Sequence, residues 1–379
     1  MSTSAPRIYF PTNRSNHHVK FDKDKRYRYP FNDKRLTRRV RRILSRLIAK
    51  RTSTISRTSR FANEVKATYR FLSNRKVTLA ELIHFVTDLE DEDLVGKDLY
   101  AFIDASSINL SAGPKGHSAR QDWPSEHGVI DDNRSPGFSI VPSLIKDARR
   151  GSIIGLGDIL IHSRPQAQGT AKEKKAAGKA REKLPLAQKE SAIWSQVAAS
   201  TAESLGEAAS VTYIMDQGSD SYVSLATIHQ QTGRDFIARI RHDRQASLIV
   251  GEPTRSLSEL LENHHPDDTR VESIKGLNHY GKSSGKIVRR KPRQARLHLK
   301  FLEVHLNVPD HLLKQSGPTF DQPLRIVQVE EDPTTVPEGE GPISWRFLTT
   351  WQVEEVADAW RLVSAYQQRL GYRATLQCA

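Results

Sequence analysis

The stretch from Asp98 to about His242 constrains the fold more than any other part of the chain. Three β-rich segments stand in a row, "DLYAFIDASS", "GFSIVPSLI" and "GSIIGLGDILIHS". A helical segment "AQKESAIWSQVAASTAESL" follows, then a short apolar strand "SVTYIMD", a second helical segment "SDSYVSLATIHQQT" and a last strand "RDFIARIRH". Sequential strands followed by alternating helix and strand suit a mixed sheet with helices on its faces. A Lys- and Ala-rich run from Ala171 to Lys183 reads as a mobile connector inside this region.

That element order predicts an α/β fold with a ribonuclease-H-like mixed-sheet core over residues 96–245. Before it, residues 1–95 read as a basic helical domain. Lys34 to Arg60 holds 11 Lys and Arg in 27 residues, while Leu36, Val40, Ile43, Leu44, Leu47 and Ile48 recur at the helical period. One face can dock on a core while Arg35, Arg38, Arg39, Arg41, Arg42 and Arg46 turn outward. After the core, "GKSSGKIVRRKPRQARLHLKFLEVHL" and "LRIVQVEE" predict an inserted β-rich subdomain over 246–345. Between Gly281 and Arg296 it carries Lys282, Lys286, Arg289, Arg290, Lys291, Arg293 and Arg296. Finally "ISWRFLTT" reads as a strand leading into a helix over 346–379, whose Trp360, Val363, Tyr366 and Leu370 keep helical spacing without a closing cap.

Composition narrows the function. Against 44 acidic residues stand 58 Lys and Arg, a formal charge of +14, which favours a polyanionic partner, double-stranded DNA first. No run approaches the roughly 18 apolar residues that a membrane helix needs, and the first residues lack a signal-peptide core, so a cytoplasmic protein with no membrane partner is expected. The one cysteine, Cys378, excludes a disulfide framework and a cysteine-based zinc site. Any metal must be held by oxygen or imidazole. The adjacent histidines His17 and His18, and His264 and His265 in "NHHPDD", read as polar turns, and "GKSSGKI" misses the spacing of a phosphate-binding loop.

Two carboxylates remain. Asp104 closes the first strand in "FIDASS" and Asp216 closes the fourth in "YIMDQGSD". Each alone is commonly a turn residue or a helix cap. In the predicted sheet, however, the first and fourth strands are neighbours, and their ends set the two acids side by side. Paired carboxylates with open positions suit Mg²⁺ or Mn²⁺ and attack on a phosphodiester.

The residues now resemble a family, the Asp-Asp-Glu transposases of the bacterial insertion-sequence-four group, which includes the transposase of transposon five. "ATYRFLSN", "FIDASS", "DQGSDSY", "ISWRFLTT" and "YQQR" occur in the family's order across most of the chain. The resemblance implies that Asp104 and Asp216 are metal-binding catalytic residues with Mg²⁺ or Mn²⁺ as cofactor. It implies that Tyr366 and Arg369 contact phosphate, and that Trp345 stacks on a flipped base. Arg35, Arg38, Arg39, Arg42, Arg289 and Arg290 become candidate contacts to element-end or target DNA. Intact members act as homodimers.

The chain departs from the family after the second Asp, where Gln217, Gly218 and Ser219 stand in place of charged neighbours, and again near its end. Where the pattern places its catalytic Glu stands Arg373, and a guanidinium repels a cation. A one-nucleotide shift could read Leu370–Arg373 as Trp-Gly-Ile-Glu, so a truncated or frameshifted copy is expected to bind DNA without cutting it. Three functions compete: a Mg²⁺-dependent transposase, a catalytically dead DNA-binding fragment that inhibits an intact partner, and a stand-alone ribonuclease-H-like nuclease.

Overall fold

The computed structural model describes residues 31, 33–50, 52, 54–59, 61–89, 94–110, 128–130, 135–164, 170, 189–274, 276–280, 287–313 and 317–377. The Ala171–Lys183 connector, His17, His18, Lys282 and Lys286 lie outside them.

Four helices lead the described chain: α1 (Lys34–Lys50), α2 (Ile55–Thr58), α3 (Ala62–Leu72) and α4 (Leu79–Thr87). Val40 of α1 and Phe71 of α3 form a small core with Phe31, and Leu36, Ile43, Leu82 and Phe85 pack around it. The apolar stripe expected along α1 is only half covered. Leu44 is 36% and Ile48 67% exposed.

The strands follow in the predicted order: β1 (Asp98–Ile103), β2 (Ser106–Asn109), β3 (Gly137–Asp147) and β4 (Ile153–His162). Then come α5 (Ala192–Ser204), β5 (Ser210–Met215), α6 (Tyr222–Thr232) and β6 (Asp235–Arg239). Their spatial order is β4-β3-β1-β5-β6, with β5 parallel to β1 and to β6, and β3 antiparallel to β1 and β4. β2 continues the line of β1 along β3 after a break at Asp104 and Ala105.

The remainder comprises β7 (Gln245–Ser247), β8 (Arg255–Ser256), α7 (Leu257–Glu262), β9 (Asp268–Ile274), β10 (Leu277–Tyr280), β11 (Ile287–Arg290) and β12 (Arg293–Leu306). It closes with α8 (Asp310–Leu313), β13 (Leu324–Glu331), β14 (Ser344–Thr349) and α9 (Val356–Gln377). The β-rich segment extends the core sheet: β14 pairs with β6, β13 with β14, and β12 with β13, while β10 and β11 form a separate hairpin.

Strand alternation divides the interior in two. Leu99, Ala101 and Ile103 of β1 join Val211, Tyr213 and Met215 of β5 under Trp194, Val197, Leu225 and Ile228 of α5 and α6. Tyr100 and Phe102 face the other way, with Ile214, toward Trp360, Val363 and Tyr366 of α9. The basic helical unit meets the sheet through α4 and β4. Gly155 leaves room for Leu89, since a Cβ there would stand 2.5 Å from the leucine Cδ2.

Candidate acid pair and basic helix

The register of β1 against β5 ends at Ile103 opposite Met215, so the next residues, Asp104 and Asp216, leave the two strands side by side. Parity then decides which way they point. Asp104 shares the face of Tyr100 and Phe102, and Asp216 that of Ile214, so both turn toward α9. There they meet Arg369. Its Nη2 lies 2.7 Å from Asp104 Oδ1 and 2.8 Å from Asp216 Oδ2, so the two oxygens are no further apart than those contacts laid end to end. Arg369 is 1% exposed, among the most deeply buried side chains of the protein.

Asp216 does two things with its two oxygens. Oδ1 accepts the Gly218 backbone N–H at 2.8 Å and caps the short helical turn Gln217–Ser219, while Oδ2 faces the arginine. The cap and the acid pair are both realised in one residue. Gly218 is required there, because a Cβ would stand 2.9 Å from the Trp194 ring and 3.0 Å from Asp216 Oδ1.

Tyr366 is buried, its ring centroid 4.7 Å from Phe347 and 6.1 Å from the half-buried Trp345. Burial pushes its hydroxyl above the usual range, against the opposing charges of Arg369 and Arg239. Arg239 escaped the sequence reading, although the basic run "RIRHDR" that begins at the last residue of β6 marks it. Its Nη2 donates to the Ser344 carbonyl at 3.3 Å. Another acid, Asp220, braces the following loop. Oδ2 accepts the backbone N–H groups of Arg241 and His242 at 2.7 and 2.8 Å, and Oδ1 takes the Arg244 guanidinium.

The remaining expected contacts scatter. On α1, Arg35, Arg38 and Arg42 are exposed and Arg39 is half-buried. Arg46 does not point outward as expected; its guanidinium pairs with Glu64 of α3. Arg289 and Arg290 lie on β11, opposite Asn278 and Leu277, a hairpin outside the main sheet. Arg293 turns inward to Glu331 and Glu340, while Arg296 stays exposed and pairs with Asp332. The "NHHPDD" turn is a polar turn as expected, with His264 Nε2 3.0 Å from Asp267.

The residues as placed do not fit a divalent ion. The carboxylates converge as a cation site demands, yet a guanidinium sits against both, and like charges repel. Among the described residues no three His, Cys, Asp or Glu side chains gather as a metal centre. Nor is any described helix long and apolar enough to cross a membrane.

The family model described as transposase DNA-binding matches residues 25–77, the segment that holds α1, α2 and α3. No curated protein matches the chain.

Proposed function

We propose that this chain is a DNA-binding protein of transposase type that grips duplex DNA through α1 and does not cut it. One observation carries the reading: the exposed Arg35, Arg38 and Arg42 lie on one helix inside the segment that matches a transposase DNA-binding family. Arginines on an exposed helix neutralise phosphates and release counterions, which gives affinity without sequence readout.

The rest of the chain supports a transposase origin. The strand order β4-β3-β1-β5-β6 is the one expected of a ribonuclease-H-like core, and the adjacent Asp104 and Asp216 are what remains of the acid set that the insertion-sequence-four resemblance implies. A metal-dependent strand transferase is the second reading, favoured by that adjacency alone. It needs a third carboxylate, and Arg373 stands where the resemblance would place one. Strand cleavage is therefore not assigned to these residues.

Fluorescence anisotropy of the full chain with a labelled duplex, across a salt series, tests the binding. Affinity should fall by about 0.9 log unit per log unit of salt for each phosphate held. Salt-independent binding, or none, would sink the reading. Incubation with supercoiled plasmid in Mg²⁺ and in Mn²⁺ tests the second half, and nicking that disappears in Asp104→Asn would restore the strand transferase.

A further inference from the structure

We propose that the exposed edge strand β9 is a self-pairing surface, through which two copies of this chain join antiparallel about a two-fold axis at Val271. The inference does not rest on DNA binding. Among the described residues β9 pairs with β12 alone, so its other edge meets no strand. Thr269 to Ser273 are exposed, five residues in a row. Successive side chains of a strand point to opposite faces, so exposure of all five leaves neither face of β9 covered there. Such an edge presents unpaired N–H and C=O groups to any strand that can lie beside it.

The strand's own sequence, "DTRVESI", selects the mate. Residues directly opposite across an antiparallel pair share a face and interact, and like charges there are destabilising. Pairing centred on Val271 sets Arg270 opposite Glu272 of a second copy, Glu272 opposite its Arg270, and Thr269 opposite its Ser273. Val271, 61% exposed, meets itself. Moving the centre by one residue sets Arg270 against Arg270 or Glu272 against Glu272, so the charges fix the register. Whichever alternate set of backbone groups faces outward, a two-fold through a residue matches donors to acceptors. Arg270 pairs with Asp268 at 3.1 Å yet keeps 47% of its side chain exposed, so a second carboxylate can reach it. Charges on an edge ordinarily guard it against other strands. Here they become attractive only against a strand with the same pattern reversed, which a second copy supplies. An edge of seven residues is small beside a standard interface of roughly 800 Å² per partner, so the dimer should be weak and concentration-dependent.

The test uses the full chain without DNA. Sedimentation velocity over a micromolar concentration series reads association, and thermal unfolding reads folding. Wild type should pass from monomer to dimer as the concentration rises. Arg270→Glu and Glu272→Arg each turn both opposite-charge pairs of the dimer into like-charge pairs, and each should raise its dissociation constant by about tenfold or more. Mixing the two variants should restore association, because one chain then carries acid at both positions and its mate carries base. In a Cys378→Ser background, Val271→Cys should form a disulfide-linked dimer on mild oxidation, since opposed residues of an antiparallel pair hold their Cα atoms about 4.5–5.5 Å apart. Val250→Cys, on a different turn and 74% exposed, should not. If Arg270→Glu fails to fold through loss of its Asp268 contact, Glu272→Arg and the Val271→Cys cross-link still decide. A chain that stays monomeric throughout would overturn the proposal, even if it captured an extended peptide of another protein. So would a dimer that both reversals leave intact, folded variants that do not rejoin on mixing, or cross-linking at Val250→Cys and not at Val271→Cys.

Discussion

The indole N–H of Trp360 donates to Asp268 Oδ2 at 2.7 Å and ties the helix that carries Arg369 to a strand 92 residues earlier. Arg270 lies over the same indole ring, 4.5 Å from its centroid, and pairs with Asp268 at 3.1 Å. The position of α9 across the sheet, and so the reach of Arg369, is set partly at this distant clamp.

Trp360→Phe removes the N–H and keeps most of the ring. The Trp360 bond is the leading cause that holds the Asp268 carboxyl below its usual range. A depressed folded pKa contributes stability above the unfolded value, about 3.9, and loses it as pH falls through the folded value. Trp360→Phe should therefore lower the thermal midpoint by a few degrees at pH 7, and part of the gap to wild type should close below pH 4. Parallel melts at the two pH values check this, and a gap that widened in acid would refute the clamp.

Arg293 and Glu331 are the second long-range tie. Both Glu331 oxygens take the guanidinium, at 2.7 and 2.6 Å, and Oε2 also accepts the Ile343 N–H at 2.9 Å. Their side chains are 6% and 0% exposed. Arg293→Met strands a buried carboxylate and should cost about 3–5 kcal/mol by urea unfolding. The double variant Arg293→Met/Glu331→Leu should recover much of it, because the penalty belongs to the uncompensated charge. Additive losses in the two single variants and the double would contradict that account.

These ties mark where the sequence stops being legible. The run of strands from Asp98 to Arg239 could be read because alternation and short apolar segments carry their own signature, and with β1 and β5 as neighbours Asp104 and Asp216 had to emerge together. The mate of a strand is a different matter. Nothing local in "ISWRFLTT" says that β14 joins β6 and fuses the β-rich segment to the core sheet, since alternation fixes a face and not a partner. The partners of Arg369 were out of reach for a related reason. Helical spacing places it three residues after Tyr366, but which sheet residues that face meets depends on how α9 crosses, and this is fixed by Trp360 and Asp268. Arg46 was read as outward because its own helix is basic on that side, while Glu64, which captures it, lies on another element.

Asp332 supplies an acid-sensitive joint at the end of β13. The backbone N–H and the hydroxyl of Thr334, with Arg296 beyond them, bring its carboxyl down to about 2. Its contribution is complete above the unfolded value of about 3.9 and disappears as pH falls from there toward 2. Asp332→Asn should therefore flatten the fall of the urea midpoint between pH 4 and pH 2 and leave its shape above pH 5 unchanged. A variant whose slope in that window equalled the wild type would assign the acid loss to other groups.

Arg42 and Arg46, one helical turn apart on α1, should separate DNA binding from folding. Arg42 is exposed, whereas Arg46 is half-buried and bound to Glu64, so only the first presents its charge without breaking an internal contact. Losing one phosphate contact reduces the salt slope by about 0.9 and weakens all duplexes alike. Arg42→Ala should do this and leave the thermal midpoint in place. Arg46→Ala should lower the midpoint slightly, as partly exposed ion pairs contribute about 1 kcal/mol or less, and leave the slope intact. Glu64→Gln should reproduce the Arg46→Ala loss in stability, but it sets the Arg46 guanidinium loose and should raise affinity for duplex DNA at low salt. If Arg46→Ala cuts the slope as Arg42→Ala does, then the Glu64 pair opens when DNA arrives, and α1 meets the duplex along the side that faces α3.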